Sequence, residues 1–145
     1  MNWKKESIEK LKEYNARKQA ITSIPLEIAQ LESSVRGIRS ASADGSAISG
    51  GGSGREDMLL SNICKREELK CSLRDAKVWV RRVDAGLAVL EKEELDILRR
   101  FYITPERGVA EKIAEELNVD SKTVYRRKDA ALRRFTLALY GMTES

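Results

Sequence analysis

Between Leu69 and Leu90 the apolar residues recur at alternating steps of four and three: Leu69, Leu73, Ala76, Val80, Val83, Leu87, Leu90. A strand alternates in twos, whereas this spacing puts every one of these side chains on a single helical stripe. Ile63 and Trp79 lie beside it. An earlier stripe runs through Ile8, Leu11, Tyr14 and Ile21, and Ile28, Leu31, Val35 and Ile38 continue the spacing that Ile21 and Ile24 begin. Repeats of this kind form coiled-coil-like seams. Pro25 interrupts the first; it lacks a backbone donor and suits the first turn of a new helix, so a kink or short break is expected there. Two seamed helices bury their stripes most simply by folding back as an antiparallel hairpin, or by packing against a second copy. No strand pattern occurs anywhere in the chain, so the expected fold is all-α.

A stretch without periodicity, "GIRSASADGSAISGGGSG", Gly37 to Gly54, separates the stripes and is expected to be the loop of the hairpin. Its end, "SGGGSGRED", invites comparison with phosphate-binding loops. Such a loop follows a strand and ends in Gly-Lys-Ser/Thr, whereas here a helical pattern and a polar segment precede it and Arg55-Glu56 follow Gly54. A dinucleotide fingerprint fails too, for want of a βαβ unit. The stretch reads as a chain reversal, with Arg55 as a basic residue at the start of the next helix.

Of the 145 residues, 34% are charged and only 6% aromatic, a mixture suited to slender helices with solvated faces. The length fits one domain, or two small units sharing a core. The start, "MNWKKESIEK", has no apolar region of the secretory type, and no run nears the roughly 18 apolar residues of a membrane span, so a cytoplasmic location and no membrane partner are expected. Cys64 and Cys71 stand two helical turns, about 10 Å, apart on one helix, too far for a disulfide. With no histidine in the chain, the commonest general base and metal ligand is missing. No catalytic residue, metal or cofactor is assigned, and no enzymatic activity is expected.

The last third follows another plan. "LEKEELDILRRFY" reads as a short helix with Leu90, Leu95, Leu98 and Phe101 inward, and Thr104-Pro105 reads as the start of the next, which buries Ile113 and Leu117. "NVDSKTVYRRKDAALRRF" then turns into a longer helix that ends near Tyr140, where Gly141 stops it. The expected division is a hairpin over 1–89 and a helix-turn-helix unit over 90–145. That motif needs a small residue where its helices cross (Ala114), a residue tolerant of left-handed backbone at the turn (Asn118), an apolar plug (Val119), a cap (Asp120) and an inward apolar residue ten positions after the first (Val124). All are in place. Outward on the second helix lie Ser121, Lys122, Tyr125, Arg126 and Asp129, whose N-terminal half suits base edges in a major groove. Arg127, Lys128, Arg133 and Arg134 are expected to hold phosphates. Charge agrees: Asp120–Phe135 carries six bases against two acids, while 91–119 carries eight acids against five bases.

"LEKEELDILRRFY" and "IAEELNVDSKTVYRRKDAALRRF" together resemble region 4 of the bacterial sigma factors. The whole chain resembles a family of phage and prophage sigma-like transcriptional regulators, related to the RinA/ArpU-type late-gene regulators. The residues that carry this likeness are "WKKESIEKL", "SGGGSGRED", "LSNI", "FY", "TVYRR" and "LALYGMTES". The resemblance implies sequence-specific DNA binding in the control of phage genes, with helix 121–139 in the major groove and base recognition by Ser121, Lys122, Thr123, Tyr125 and Arg126. Implied partners are double-stranded DNA, bacterial RNA polymerase and a second copy joined through the hairpin. One departure stands out: sigma-type units place Ser or Thr after the leucine that opens the module, whereas Glu91 follows Leu90, so one long helix through this point is an alternative. Two other functions fit the same plan. One is an interaction module that docks on polymerase without reading DNA; the other is a small subunit of a phage DNA-packaging machine.

Overall fold

The computed structural model describes residues 1–43 and 51–143, with no account of the side chains of 39–43 and 51–53. The fold is all-α, with no strand among the described residues. Five helices follow in order: α1 (Trp3–Ala43), α2 (Gly51–Leu87), α3 (Lys92–Leu98), α4 (Val109–Leu117) and α5 (Ser121–Tyr140). A π-helical turn, Arg99–Ile103, extends α3.

Three expectations about element ends are corrected. Pro25 lies inside α1 rather than at a break. Its ring is exposed, so the helical bond it cannot donate is lost on the solvated side, while Ile24 remains buried on the other. The loop expected over 37–54 is narrower, because α1 continues to Ala43 and α2 begins at Gly51. Residues 44–50, including Ser49 and Gly50 of "SGGGSGRED", lie outside the described residues. Finally, α4 starts at Val109 and not at Thr104-Pro105, because Gly108 precedes it in a left-handed conformation (φ 64°, ψ 33°).

The chain divides into two compact units, Met1–Lys18 with Val78–Ser145, and Gln19–Lys77. This is not a division at residue 90. The first turns of α1 and the last of α2 belong with the C-terminal helices, because Leu11, Val83 and Leu87 share one buried cluster with Leu98, Ala131, Leu132 and Phe135. Within this unit α1 and α2 meet in opposite chain directions: Arg17 lies over Trp79, and the Tyr14 hydroxyl donates to Asp84 at 2.5 Å. Leu11, Val83, Leu98 and Phe135 are wholly buried, and each such side chain contributes roughly 1.5–3 kcal/mol. Gly86 marks a close approach, since a Cβ there would lie 2.9 Å from Leu139 Cδ2 and 3.0 Å from Phe135 Cε1. A buried polar pair, the Ser7 and Thr136 hydroxyls at 2.9 Å, ties α1 to α5.

The other unit holds two helical segments and buries less. Ile24, Val35 and Ala76 point inward, with Ile28, Leu31, Leu69 and Leu73 half-buried along the same seam. Ile63 is exposed, and its neighbour Asn62 occupies the buried position instead. The Asn62 amide donates to the Leu31 carbonyl at 2.8 Å and accepts from Arg66 Nε at 2.8 Å.

Candidate nucleic-acid interface

The C-terminal helices are set by their caps. After α2 ends at Leu87, a turn closes with the Leu90 N–H on the Leu87 carbonyl at 3.1 Å. Glu91 then starts α3, its N–H donating to the Glu94 carboxylate at 3.0 Å. A long helix through Glu91 is therefore not formed: Glu91 is extended, and Glu94 takes the role of the N3 glutamate of a capping box by accepting from its N–H. Of the residues expected inward here, Leu98 is wholly buried, Leu90 and Phe101 are half-buried, and Leu95 is exposed. Ile97 takes the place expected of Leu95 and joins the cluster of Ala110, Ile113, Ala114 and Val124.

That second cluster joins α4 to α5. Val124 is completely buried, and the methyl groups of Ala110 and Ala114 share its cluster, with Val119 packed at the edge. The connection is three residues long. Asn118 adopts φ 56°, ψ 48°, the one positive φ outside glycine among the described residues. Its conformation lets the Val119 N–H reach the Ala114 carbonyl at 3.0 Å, satisfying the last turn of α4. Asp120 is extended, and its carboxylate accepts from the Thr123 N–H at 2.8 Å. Hydrogen bonding from the Thr123 side chain and then from its backbone N–H, aided by the nearby Arg126 charge, holds the Asp120 carboxyl below its ordinary range. Ala114, Asn118, Val119, Asp120 and Val124 thus lie together around the connection between α4 and α5.

The cations of α5 fall into two groups, set by the helical repeat. Lys122, Arg126 and Arg133 are exposed on one stripe, with Asp129 between them and Tyr125 beside. Ser121 and Thr123 are half-buried at the helix start. Arg127 and Arg134, one heptad apart, turn toward α3. Arg127 pairs with Glu93 at 2.7 Å; Arg134 pairs with Glu94 and donates to the Val89 carbonyl at 3.0 Å. Lys128 is largely covered, its ammonium 5.4 Å from the Phe101 ring centre, 5.2 Å from that of Tyr125 and 3.5 Å from Asp129. Of the four expected phosphate contacts, Arg133 alone stands without an ion pair or ring contact among the described residues. Tyr125 is 47% exposed, and its ring is steadied edge-on by Phe101 at 5.9 Å.

Sequence reasoning missed a buried cation. Arg100, on the π-helical turn, is 8% exposed and pairs with Glu116 at 2.6 Å, Glu106 at 3.1 Å and Asp96 at 3.6 Å. Hydrogen bonds to Glu116 and Glu106 push its guanidinium further above its already high range. This network joins α3, the turn before α4, and α4 itself. The i,i+4 spacing marks Asp96 as a neighbour, but Glu106 and Glu116, six and sixteen residues on, are brought to it only by the fold.

Among the described residues there is no cluster of three or more potential metal ligands, and no helix is long and apolar enough to cross a membrane. Cys64 and Cys71 are free and exposed. Protein-family models, curated proteins and solved structures offer no match to this chain.

Proposed function

We propose that the chain is a sequence-specific DNA-binding regulator of transcription, with α4, the turn 118–120 and α5 acting as a helix-turn-helix. The observation that carries this reading is the exposed N-terminal half of α5. Lys122, Tyr125 and Arg126 stand together at the start of a helix whose angle is fixed by Ala114, Asn118, Asp120 and Val124. A lysine or arginine there reaches guanine acceptors, Ser121 and Thr123 flank them, and Arg133 meets the backbone further along. The resemblance to sigma-like phage regulators adds the setting: control of phage or prophage genes in a bacterial cytoplasm, alongside RNA polymerase. A dimer through the seamed helices would read inverted half-sites about 34 Å apart.

Selection of bound duplexes from a random pool tests this, followed by titration of the winner across a salt series. With Lys122, Arg126 and Arg133 as the cations that meet the polyanion, log K falls against log salt with a slope of about −3. A pool that yields no consensus overturns sequence-specific reading.

One observation favours a second reading, a module that docks on polymerase without contacting DNA. The internal partners of Arg127, Lys128 and Arg134 leave a modest positive face. Weak, salt-insensitive duplex binding beside tight association with polymerase would decide for it.

A further inference from the structure

The two arginines that face α3 carry an inference that rests on the DNA-binding reading of α5. Arg127 and Arg134 sit one heptad apart, and each meets a carboxylate of the first turn of α3, Glu93 and Glu94. The Arg134 pair is the more organised of the two. Glu94 is only 19% exposed in its side chain, it also accepts from the Glu91 N–H, and Arg134 is pinned a second time by the Val89 carbonyl. Arg127 and Arg134 keep 42% and 46% of their side chains exposed, but a guanidinium hydrogen-bonded to a carboxylate has fewer donors left for a phosphate, and the pair brings no net charge to a polyanion.

We propose that Glu93 and Glu94 are specificity-setting residues: they act as internal stand-ins for phosphate, occupying Arg127 and Arg134 so that α5 holds DNA weakly wherever its base contacts are not made. Sequence-independent affinity grows with the number of phosphates neutralised, whereas base readout does not. Withholding two cations therefore lowers binding to random duplex while Lys122, Tyr125 and Arg126 stay available. The carboxylates are positioned for this by the cap of α3, since the same Glu94 side chain that closes the Glu91 cap receives Arg134.

The test compares the full chain with a Glu93→Gln/Glu94→Gln variant in salt titrations on random-sequence duplex. Glutamine retains the acceptor that caps α3, so folding is kept and checked by thermal melting. The variant is expected to bind random duplex at least about tenfold more tightly at 0.1 M salt, with the log–log slope steeper by about 2. The quadruple variant, Glu93→Gln/Glu94→Gln/Arg127→Gln/Arg134→Gln, removes both signs of charge together and is expected to keep the wild-type slope, because the pairs are already neutral. An unchanged slope for the glutamate variant, or a slope shallower by about 2 for the quadruple variant, overturns the assignment while leaving DNA binding intact. Absence of duplex binding by every form overturns the DNA reading as well, so the two failures are distinct.

Discussion

The unit that carries the C-terminal helices and the unit formed by residues 19–77 are built from the same seam, yet they bury it to different depths. In the first, three further helices add to α1 and α2, and Leu11, Val83, Leu98, Val124, Ala131 and Phe135 are wholly buried. In the second, two helical segments work alone. Of their buried apolar residues Ala76 keeps 4% exposure and Ile24 and Val35 keep 9% each, Asn62 takes a buried position, and Leu26, Met58, Leu60 and Ile63 are open to solvent. A two-helix layer has too little inner surface to enclose its stripe, however regular the stripe is. Regular spacing sets which side of a helix turns inward; the number of neighbouring helices sets how far water is excluded.

Truncation tests that contrast most strongly. Phe135→Ala is expected to cost about 3–5 kcal/mol in chemical denaturation, the range for deleting a buried aromatic ring. Val35→Ala should cost only roughly 1–2 kcal/mol, from two methyl groups at about 0.8 kcal/mol each. Equal losses would show that the two units are packed alike. Next in size is Gly86→Leu, which thrusts a side chain into Leu139 and Phe135 and is expected to cost about 1–3 kcal/mol. A neutral result would mean that α2 and α5 part easily at this point.

Polar groups at the edge of the larger core should matter less. Tyr14→Phe removes the hydrogen bond to Asp84 and is expected to cost about 0.5–1.5 kcal/mol. Burial, the hydrogen bond to Asp84 and its charge push the Tyr14 hydroxyl up from 10.0 to about 12. A raised value favours the protonated form in the folded state, so the contribution is complete below pH 10.0 and fades between there and about 12. Wild type should lose stability in that window relative to Tyr14→Phe. Parallel pH profiles would contradict it. The smallest effect is expected at the Asp120 cap. Its lowered carboxyl value means that its contribution is present at neutral pH and vanishes as pH falls through the folded-state value. Asp120→Ala should therefore be less stable than wild type at pH 7 and equal to it in strong acid, with Asp120→Ser recovering most of the loss. A gap that persists in strong acid would show that the carboxylate is not what caps α5.

The features legible in the sequence are those fixed by local geometry. The seam residues Leu11, Ala76, Val83 and Leu87 follow from helical spacing, and the Asn118–Asp120 turn from the backbone demands of a left-handed residue and a cap. What escaped depends on partners distant in the chain. Arg127 and Arg134 look identical to Arg126 and Arg133 until α3 is laid beside them, and Arg100 looks like any surface cation until Glu106 and Glu116 close around it. Pro25 misled for a related reason: its local cost is real, but the stripe on either side keeps the helix whole. The start of α4 was missed because Thr104-Pro105 is a common opening, while the left-handed Gly108 four residues later sets the true one.

If the exposed start of α5 reads bases, as proposed, Arg126→Ala shows it. Affinity should be measured for wild type and variant on the duplex selected from a random pool and on a scrambled duplex of equal length. Loss of a bidentate base contact predicts weakening of about 1–3 kcal/mol on the selected site and a much smaller change on the scrambled one. Equal affinities of the two proteins for both duplexes would contradict it.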